Sequence, residues 1–307
     1  MKKKLYSLIV IVFMIVAILT TMTTNAQIII PTMGEQPSKD TTKPAPPNPR
    51  NTIKSYEKVI TKEFTTKKGL FYVHINKDTV YFEIPDSLLG NDIMIINRLV
   101  KVAAGHGMYS GEQVGEKTIY FEKGKDSSLL IKYNLVVNEA DSKSNIFKAV
   151  QKSSNNPLVA KFPVISYGNK TTVIDVSKFL KDNNFINSID PSTTLAQNAT
   201  ITAMKDVTIE SIRAYPINVE IAISKTFESK SKILPAGTPA TIETNTSFIA
   251  LPKVPMQRRF YDKRVGYFAD MFYEFGDDQQ KAEVRNFIVR WRLEPKPQDM
   301  AKWKKAN

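Results

Sequence analysis

Two runs, Leu70-Phe71-Tyr72-Val73-His74-Ile75 and Thr79-Val80-Tyr81-Phe82-Glu83-Ile84, flank the polar triplet Asn76-Lys77-Asp78. Both are built of aromatic and β-branched side chains, which fit a pleated, half-buried surface. Two such runs across a short polar break read as a β-hairpin. Pro85 has no N–H to extend the ladder, so the second strand ends there, and Asp86-Ser87-Leu88-Leu89 reads as a short helical turn closed by Gly90. Asp92 to Lys101 returns to strand, with Ile93, Ile95 and Asn97 alternating against Met94, Ile96 and Arg98. A strand apolar on both faces belongs in the middle of its sheet.

The same signals continue downstream. Ala103 to Gly115 carries Gly105, Gly107, Gly111 and Gly115. A phosphate cradle needs a glycine-rich turn that opens directly into a helix, whereas here the strand Lys117–Glu122 follows, so the segment reads as a β-connection. Ser127 to Val137 is the next strand. Glu139 to Asn156 is polar, with a helix expected around Asn145 to Lys152, and it reads as a joint between two β-rich halves. Val159–Tyr167 and Thr171–Asp175 form a second hairpin, and Val176–Lys181 a short helix with Asp175 placed to cap it. After the Asn-, Ser- and Thr-rich connection 182–200, strands are expected at Met204–Tyr215, Asn218–Phe227 and Ala240–Leu251, broken at Pro216 and at 234–239. Many strands, short helices and no long repeat predict a mainly β (α+β) protein of antiparallel sheets, sandwich-like or barrel-like.

Upstream, Met1 to Gln27 has the layout of a secretory signal. Lys2 to Lys4 precede an apolar run, Leu8–Leu19, which is short for a bilayer span, and Thr24-Asn25-Ala26 gives small-residue cleavage context. The expected organisation is therefore a signal at 1–26, a Pro-rich linker at 27–55, β-rich units at 56–100 and 101–302, and a short tail at 303–307. Export to a periplasmic or extracellular location follows from the signal. The chain has no cysteine, so export brings no disulfide and no thiol nucleophile. Its formal charge is +13, and loss of residues 1–26 removes three of 43 basic residues and none of the 30 acidic ones, leaving +10. A positive excess spread along the whole chain fits first a soluble basic exported protein, with attraction to an envelope polyanion or glycan as the second reading, and points to no specific nucleic acid.

The chemical inventory is sparse. His74 sits in a strand and His106 in the glycine segment, and neither starts an HExxH pair that would set two imidazoles on one helix face. There is no G-x-S-x-G elbow. Ser55-x-x-Lys58 and Ser229-x-x-Lys232 match S-x-x-K by letter without the accompanying K-T-G, and Asp277-Asp278 lacks the alternating acids of a calcium loop. No catalytic residue, metal ligand or cofactor is expected in this chain.

One block stands apart. Nine aromatics fall between Phe260 and Trp291, roughly three times the density of the chain as a whole. Val284–Leu293 alternates, with Phe287, Val289, Trp291 and Leu293 on a face expected to be core, and Asn286, Ile288, Arg290 and Arg292 on the other. Val265–Phe275 is apolar on both faces and needs cover from another layer. Arg258, Arg259, Asp262, Lys263 and Arg264 have the chemistry either to pair locally or to grip a partner, and local pairing is the expected outcome for surface charges.

These residues resemble a family, the exported Bacteroidetes-type zinc-dependent metalloproteases whose N-terminal half consists of the domains DUF5118 and DUF5117. The first is carried by Lys67-Lys68-Gly69-Leu70-Phe71, Tyr81-Phe82-Glu83-Ile84-Pro85 and Leu89-Gly90. The second is carried by Phe121-Glu122-Lys123-Gly124, Phe162-Pro163, Pro255-Met256, Arg259, Asp262, Arg264-Val265-Gly266-Tyr267-Phe268 and Arg290-Trp291-Arg292-Leu293-Glu294-Pro295. Gln257-Arg258 departs from the family pattern, which has a proline before the residue matching Arg259. The resemblance implies a zinc-binding protease domain after Pro295, absent from these 307 residues. It therefore implies a noncatalytic accessory region that docks on or supports a protease domain. Arg259, Asp262, Arg264, Tyr267, Phe268, Arg290 and Arg292 are the expected contact residues. A stand-alone exported β-module that binds glycan or polyanion is the alternative expectation.

Overall fold

The hairpin sets the sheet. Strands β2 (Tyr72–Asn76) and β3 (Thr79–Pro85) pair antiparallel across a turn in which Lys77 takes a φ of 50°. A 3-10 turn, Asp86–Leu88, follows, with Gly90 at φ 71°. The computed structural model describes residues 53–104, 109–190, 204–228, 235, 237–290, 295 and 297–306, all within a unit that spans 51–307. The expected signal, nearly all of the Pro-rich linker and His106 lie outside the described residues. So do Arg292, Trp291 and Leu293.

The other strands of the main sheet are β1 (Thr65–Lys67), β4 (Ile93–Lys101), β5 (Gln113–Lys123), β6 (Ser128–Tyr133), β8 (Leu158–Gly168), β9 (Thr171–Asp175), β10 (Met204–Tyr215), β11 (Asn218–Glu228) and β12 (Pro239–Ala250). They form an 11-stranded antiparallel sheet in the order β1-β2-β3-β9-β8-β6-β5-β4-β12-β11-β10. As its two apolar faces predict, β4 lies inside the sheet, between β5 and β12. The sheet curls until its ends nearly meet. Leu70 N–H donates to Tyr215 O at 2.7 Å, and a Cβ on Gly69 would stand 2.5 Å from Tyr215 N, so glycine is what lets the β1–β2 connection abut β10.

Inward residues fill this near-barrel. Phe71, Phe82 and Phe248 meet with ring centroids 4.8 to 5.9 Å apart, and Phe121 lies 6.3 Å from Phe71, so the first hairpin packs against β5 and β12 across the interior. Each ring is fully buried, and burying a phenylalanine contributes about 2 to 3 kcal/mol. The short helices are α1 (Tyr56–Val59) and α3 (Ser177–Lys181), which pack on the barrel, α2 (Phe147–Ser153), beside β7, and, near the C-terminus, α4 (Met300–Ala306). The helix α3 starts one residue later than expected, so Val176 and not Asp175 is its N-cap residue; the Asp175 carboxylate, one position earlier, still accepts both the N–H and the hydroxyl of Ser177, at 2.9 and 2.6 Å.

The polar stretch 139–156 is not a joint between halves, because β6 and β8, on either side of it, pair directly in the barrel. It is an excursion that supplies β7 (Asn138–Ala140) and α2 to a second sheet. That sheet has the order β14-β13-β7, with β13 spanning Ala269–Phe275 and β14 Glu283–Ile288. The β13–β7 pairing is parallel, an exception to the otherwise antiparallel plan. Among the described residues no helix is long and apolar enough to cross a membrane.

Candidate functional site

Two polar centres lie inside the main unit. Glu83 Oε2 takes the Tyr56 hydroxyl at 2.8 Å and His74 Nε2 at 2.7 Å, while Oε1 takes the Thr171 hydroxyl at 2.6 Å. Since a carboxylate only accepts, His74 carries its proton on Nε2, and Nδ1 meets Thr66 Oγ1 at 2.8 Å. Burial pushes the Glu83 carboxyl up, but the bonds from His74, Thr171 and Tyr56 outweigh it and leave its pKa below the ordinary glutamate range. Burial and the Glu83 contact push the Tyr56 phenol well above its ordinary value. With His74 and Glu83 both buried, this centre ties α1 to the sheet and offers no surface to a substrate.

The second centre is a row of three successive carbonyls. Ile186 O accepts Asn97 Nδ2 at 2.8 Å, Asn187 O accepts Lys225 Nζ at 3.3 Å, and Ser188 O accepts Lys117 Nζ at 3.3 Å. Donors from β4, β5 and β11 thus pin segment 184–190 across the barrel side chains. Lys225 is 3% exposed, and burial alone drives its ammonium down to about 8. The adjoining cavity, about 10 Å³ between Ile186, Asn187 and Thr246, has room for about one water. Among the described residues no group of three or more His, Cys, Asp or Glu is arranged to hold a metal ion.

The second sheet has a different character. In an antiparallel pair, opposed residues share a face, so the register sorts its side chains. Asp270 lies opposite Phe287, and Phe272 opposite Arg285, on one face; Met271 opposite Asn286, and Tyr273 opposite Val284, on the other. The Phe272 face is covered. Phe260 stacks on Phe287 at 5.1 Å, Phe272 stands 5.9 Å from Phe287, and the Arg258 guanidinium lies 5.1 Å from both Phe272 and Phe287. Arg258 in turn makes a two-pronged ion pair with Glu139 of β7, Nη2 to Oε1 at 2.7 Å, so one side chain ties the aromatic stack to the sheet edge.

The opposite face is bare. Met271 is 55% exposed, Val284 50% and Tyr273 37%, and the loop leading into β13 adds Val265, Tyr267 and Phe268, the last 89% exposed. Gly266, at φ 73°, lets this loop turn, and Phe268 O is fixed by the Val289 N–H at 2.8 Å. An exposed apolar patch of this kind makes the face a candidate contact surface.

The seven expected contact residues separate accordingly. Tyr267 and Phe268 are exposed beside the bare face, and Arg259 is exposed while its carbonyl takes the Ile288 N–H at 3.0 Å. Asp262 and Arg264 pair with each other, and the Arg264 guanidinium holds the Asp262 carboxyl below its ordinary range. Arg290 donates to the carbonyl of Gln257 at the surface. Arg292 lies outside the described residues. The expected alternation along 284–293 is corrected: the ladder ends at the Ala269–Ile288 pair, Val289 beyond it meets only the Phe268 backbone, and Val289 is exposed rather than core. Phe287 is covered by Phe260 and Arg258, from the preceding segment, and not by a second apolar layer. Met271, Tyr273 and Val284 are not among the seven; the alternation of 269–275 carries Met271 and Tyr273, and the register places Val284 opposite Tyr273.

A groove of about 540 Å³ runs beside this sheet, between the extended segment Leu135–Ala140 and the Phe147, Val150, Gln151 and Ser154 face of α2. The Asp277 carboxylate, in the β13–β14 connection, accepts the N–H groups of Asn145 and Ile146 at 2.8 and 3.0 Å and so anchors the start of the helical excursion.

Comparison with known proteins matches two family models. The DUF5117 domain of unknown function covers residues 111–296, and the DUF5118 domain of unknown function covers residues 53–102. The two stretches interleave in one sheet, since β3 pairs with β9, and β4 with both β5 and β12. No curated protein and no solved structure matches.

Proposed function

Because the chain belongs to the family of the DUF5117 domain of unknown function, with a DUF5118 match ahead of it, we propose that it is a noncatalytic accessory region that docks on an exported zinc metalloprotease domain. The observation that carries this reading is the bare Met271, Tyr273 and Val284 face with Phe268 beside it. Large apolar side chains on a rigid ladder, backed by an aromatic–arginine stack, form a surface suited to a folded partner. The protease identity of that partner rests on the sequence resemblance around Arg264–Phe268 and Arg290–Pro295. A net charge of +13 supports a second, separate attraction to an anionic envelope polymer or glycan.

Co-expression with a family-type metalloprotease domain, followed by co-purification, tests the proposal. The wild-type chain should be retained, and the Met271→Asp/Val284→Asp double variant should lose about tenfold or more in affinity while keeping its melting temperature, since neither side chain is buried. Equal retention of the double variant would remove the face from the interface. Stoichiometric zinc and chelator-sensitive casein cleavage by this chain alone would sink the noncatalytic reading.

A further inference from the structure

Three segments of the main sheet come together at one end of the near-barrel. Leu70 N–H donates to Tyr215 O at 2.7 Å and Ala250 N–H to Ile217 O at 2.9 Å, which joins the β1–β2 connection (67–72), the β10–β11 turn (213–218) and the exit of β12 (250–255). Each segment holds large apolar or aromatic side chains in solvent. Ile217, in the two-residue turn between Tyr215 and Asn218, is 66% exposed, Val254 77%, Tyr215 45% and Tyr72 39%. Pro216, Pro252 and Pro255 stiffen the tips. Each segment is also basic: Lys67, Lys68, Arg213 and Lys253 are all exposed, and the three segments contain no Asp or Glu. The flanking acids are Asp92, whose C=O accepts the Leu251 N–H, and Glu220, opposite Arg213, both half-buried; Glu83, opposite Tyr72, is buried against His74. The cations therefore dominate this end.

We propose that this end of the near-barrel rests on an anionic lipid surface, with Ile217 and Val254 entering the headgroup layer and the surrounding cations on its phosphates. The mixture of side chains selects that occupant. The centre of a protein–protein contact is depleted in lysine, and here lysines stand among the apolar tips, so a folded partner would have to bury their ammonium groups. A headgroup layer takes both at one depth: apolar tips reach the acyl boundary while tyrosine and lysine lie among the phosphates. A soluble polyanion would meet the cations and leave Ile217 and Val254 without a partner. The cation excess favours an anionic surface over a neutral one. None of these residues belongs to the Met271 face, so the inference stands apart from the docking proposal.

The test uses the chain from Gln27, which keeps the whole unit 51–307 and lacks the apolar run Leu8–Leu19, itself able to bind lipid. Co-sedimentation is measured with vesicles of phosphatidylcholine alone and of phosphatidylcholine mixed equally with phosphatidylglycerol. Partition onto the mixed vesicles should exceed that onto the neutral ones by about tenfold or more, and should fall as salt is raised. Ile217→Ser/Val254→Ser should lose about tenfold on the mixed vesicles with an unchanged melting temperature, because both side chains are exposed. Lys68→Glu/Lys253→Glu should lose a similar factor on the mixed vesicles and little on the neutral ones. Soluble glycerol phosphate, the headgroup without the bilayer, should not compete. The proposal is overturned by no partition onto mixed vesicles, by equal partition onto neutral ones, or by competition from glycerol phosphate. Full retention by Ile217→Ser/Val254→Ser would also overturn it, assigning the attraction to charge alone. Met271→Asp/Val284→Asp should partition like wild type, so failure of the docking face and failure of this surface are distinguishable.

Discussion

Replacing Lys225 by methionine should stabilise this protein at neutral pH, and the gain should fade in alkali. Lys225 lies in β11 with 3% of its surface exposed, and its ammonium, ordinarily near 10.5, is pushed by burial to about 8. That displacement is worth about 3 kcal/mol, the cost of keeping the charge inside. Below pH 8 both folded and unfolded states hold the proton, so the full cost is present. Between pH 8 and about 10.5 the unfolded chain binds more protons than the folded one, so wild-type stability rises with pH. Methionine fits a similar volume without charge, but it leaves Asn187 O without the 3.3 Å bond from Nζ, a loss of about 1 kcal/mol. The expected gain for Lys225→Met is therefore roughly 1 to 2 kcal/mol at pH 7, shrinking to zero or reversing near pH 10.5. Urea unfolding of both proteins from pH 6 to 10.5 reads it, and groups common to the two cancel in the difference. A difference that stays flat across pH 8 to 10.5, or a variant weaker than wild type at pH 7 by more than about 1 kcal/mol, would refute the argument that Lys225 is a buried, uncompensated charge.

Glu83→Gln should destabilise by about 2 to 4 kcal/mol at pH 7, because one buried donor, His74, and two half-buried ones, Tyr56 and Thr171, converge on the buried carboxylate. The Glu83 contribution is present above the unfolded carboxyl pKa and is lost as pH falls through its depressed folded value. Acid unfolding of wild type should accordingly be steeper than that of the variant below about pH 4.3, and parallel acid limbs would count against the assignment. Gly69→Ala places a Cβ 2.5 Å from Tyr215 N and 2.6 Å from Tyr215 O, both backbone atoms, so the seam of the near-barrel must part. A loss of roughly 2 to 4 kcal/mol is expected, with faster hydrogen exchange at Leu70, and unchanged exchange there would mean that the strand ends do not meet at this point.

Local strand chemistry was readable because it repeats every two residues. The expected runs Thr79–Ile84, Asp92–Lys101, Met204–Tyr215 and Asn218–Phe227 all appear as strands within a residue or so of their ends. Strand order was not readable. Nothing in the periodicity of β3 says that β9, some ninety residues on, pairs with it. β7 is three residues, Asn138-Glu139-Ala140, with no apolar alternation, and its parallel pairing depends on contacts made far along the chain. At the candidate site, the need of 265–275 for cover was legible, and which face receives it was not. The cover comes from Phe260 and Arg258, and Arg258 is held by Glu139, 119 positions away, so a local pattern could not choose between the Phe272 face and the Met271 face.

The division of labour between the two sheets follows from what each leaves unsatisfied. The main sheet turns its apolar residues inward and nearly closes on itself, so its core has little left to offer a partner. A three-stranded sheet with one three-residue strand is marginal alone, and here it is held by the Arg258–Glu139 tie and by the Asp277 carboxylate at the start of the helical excursion.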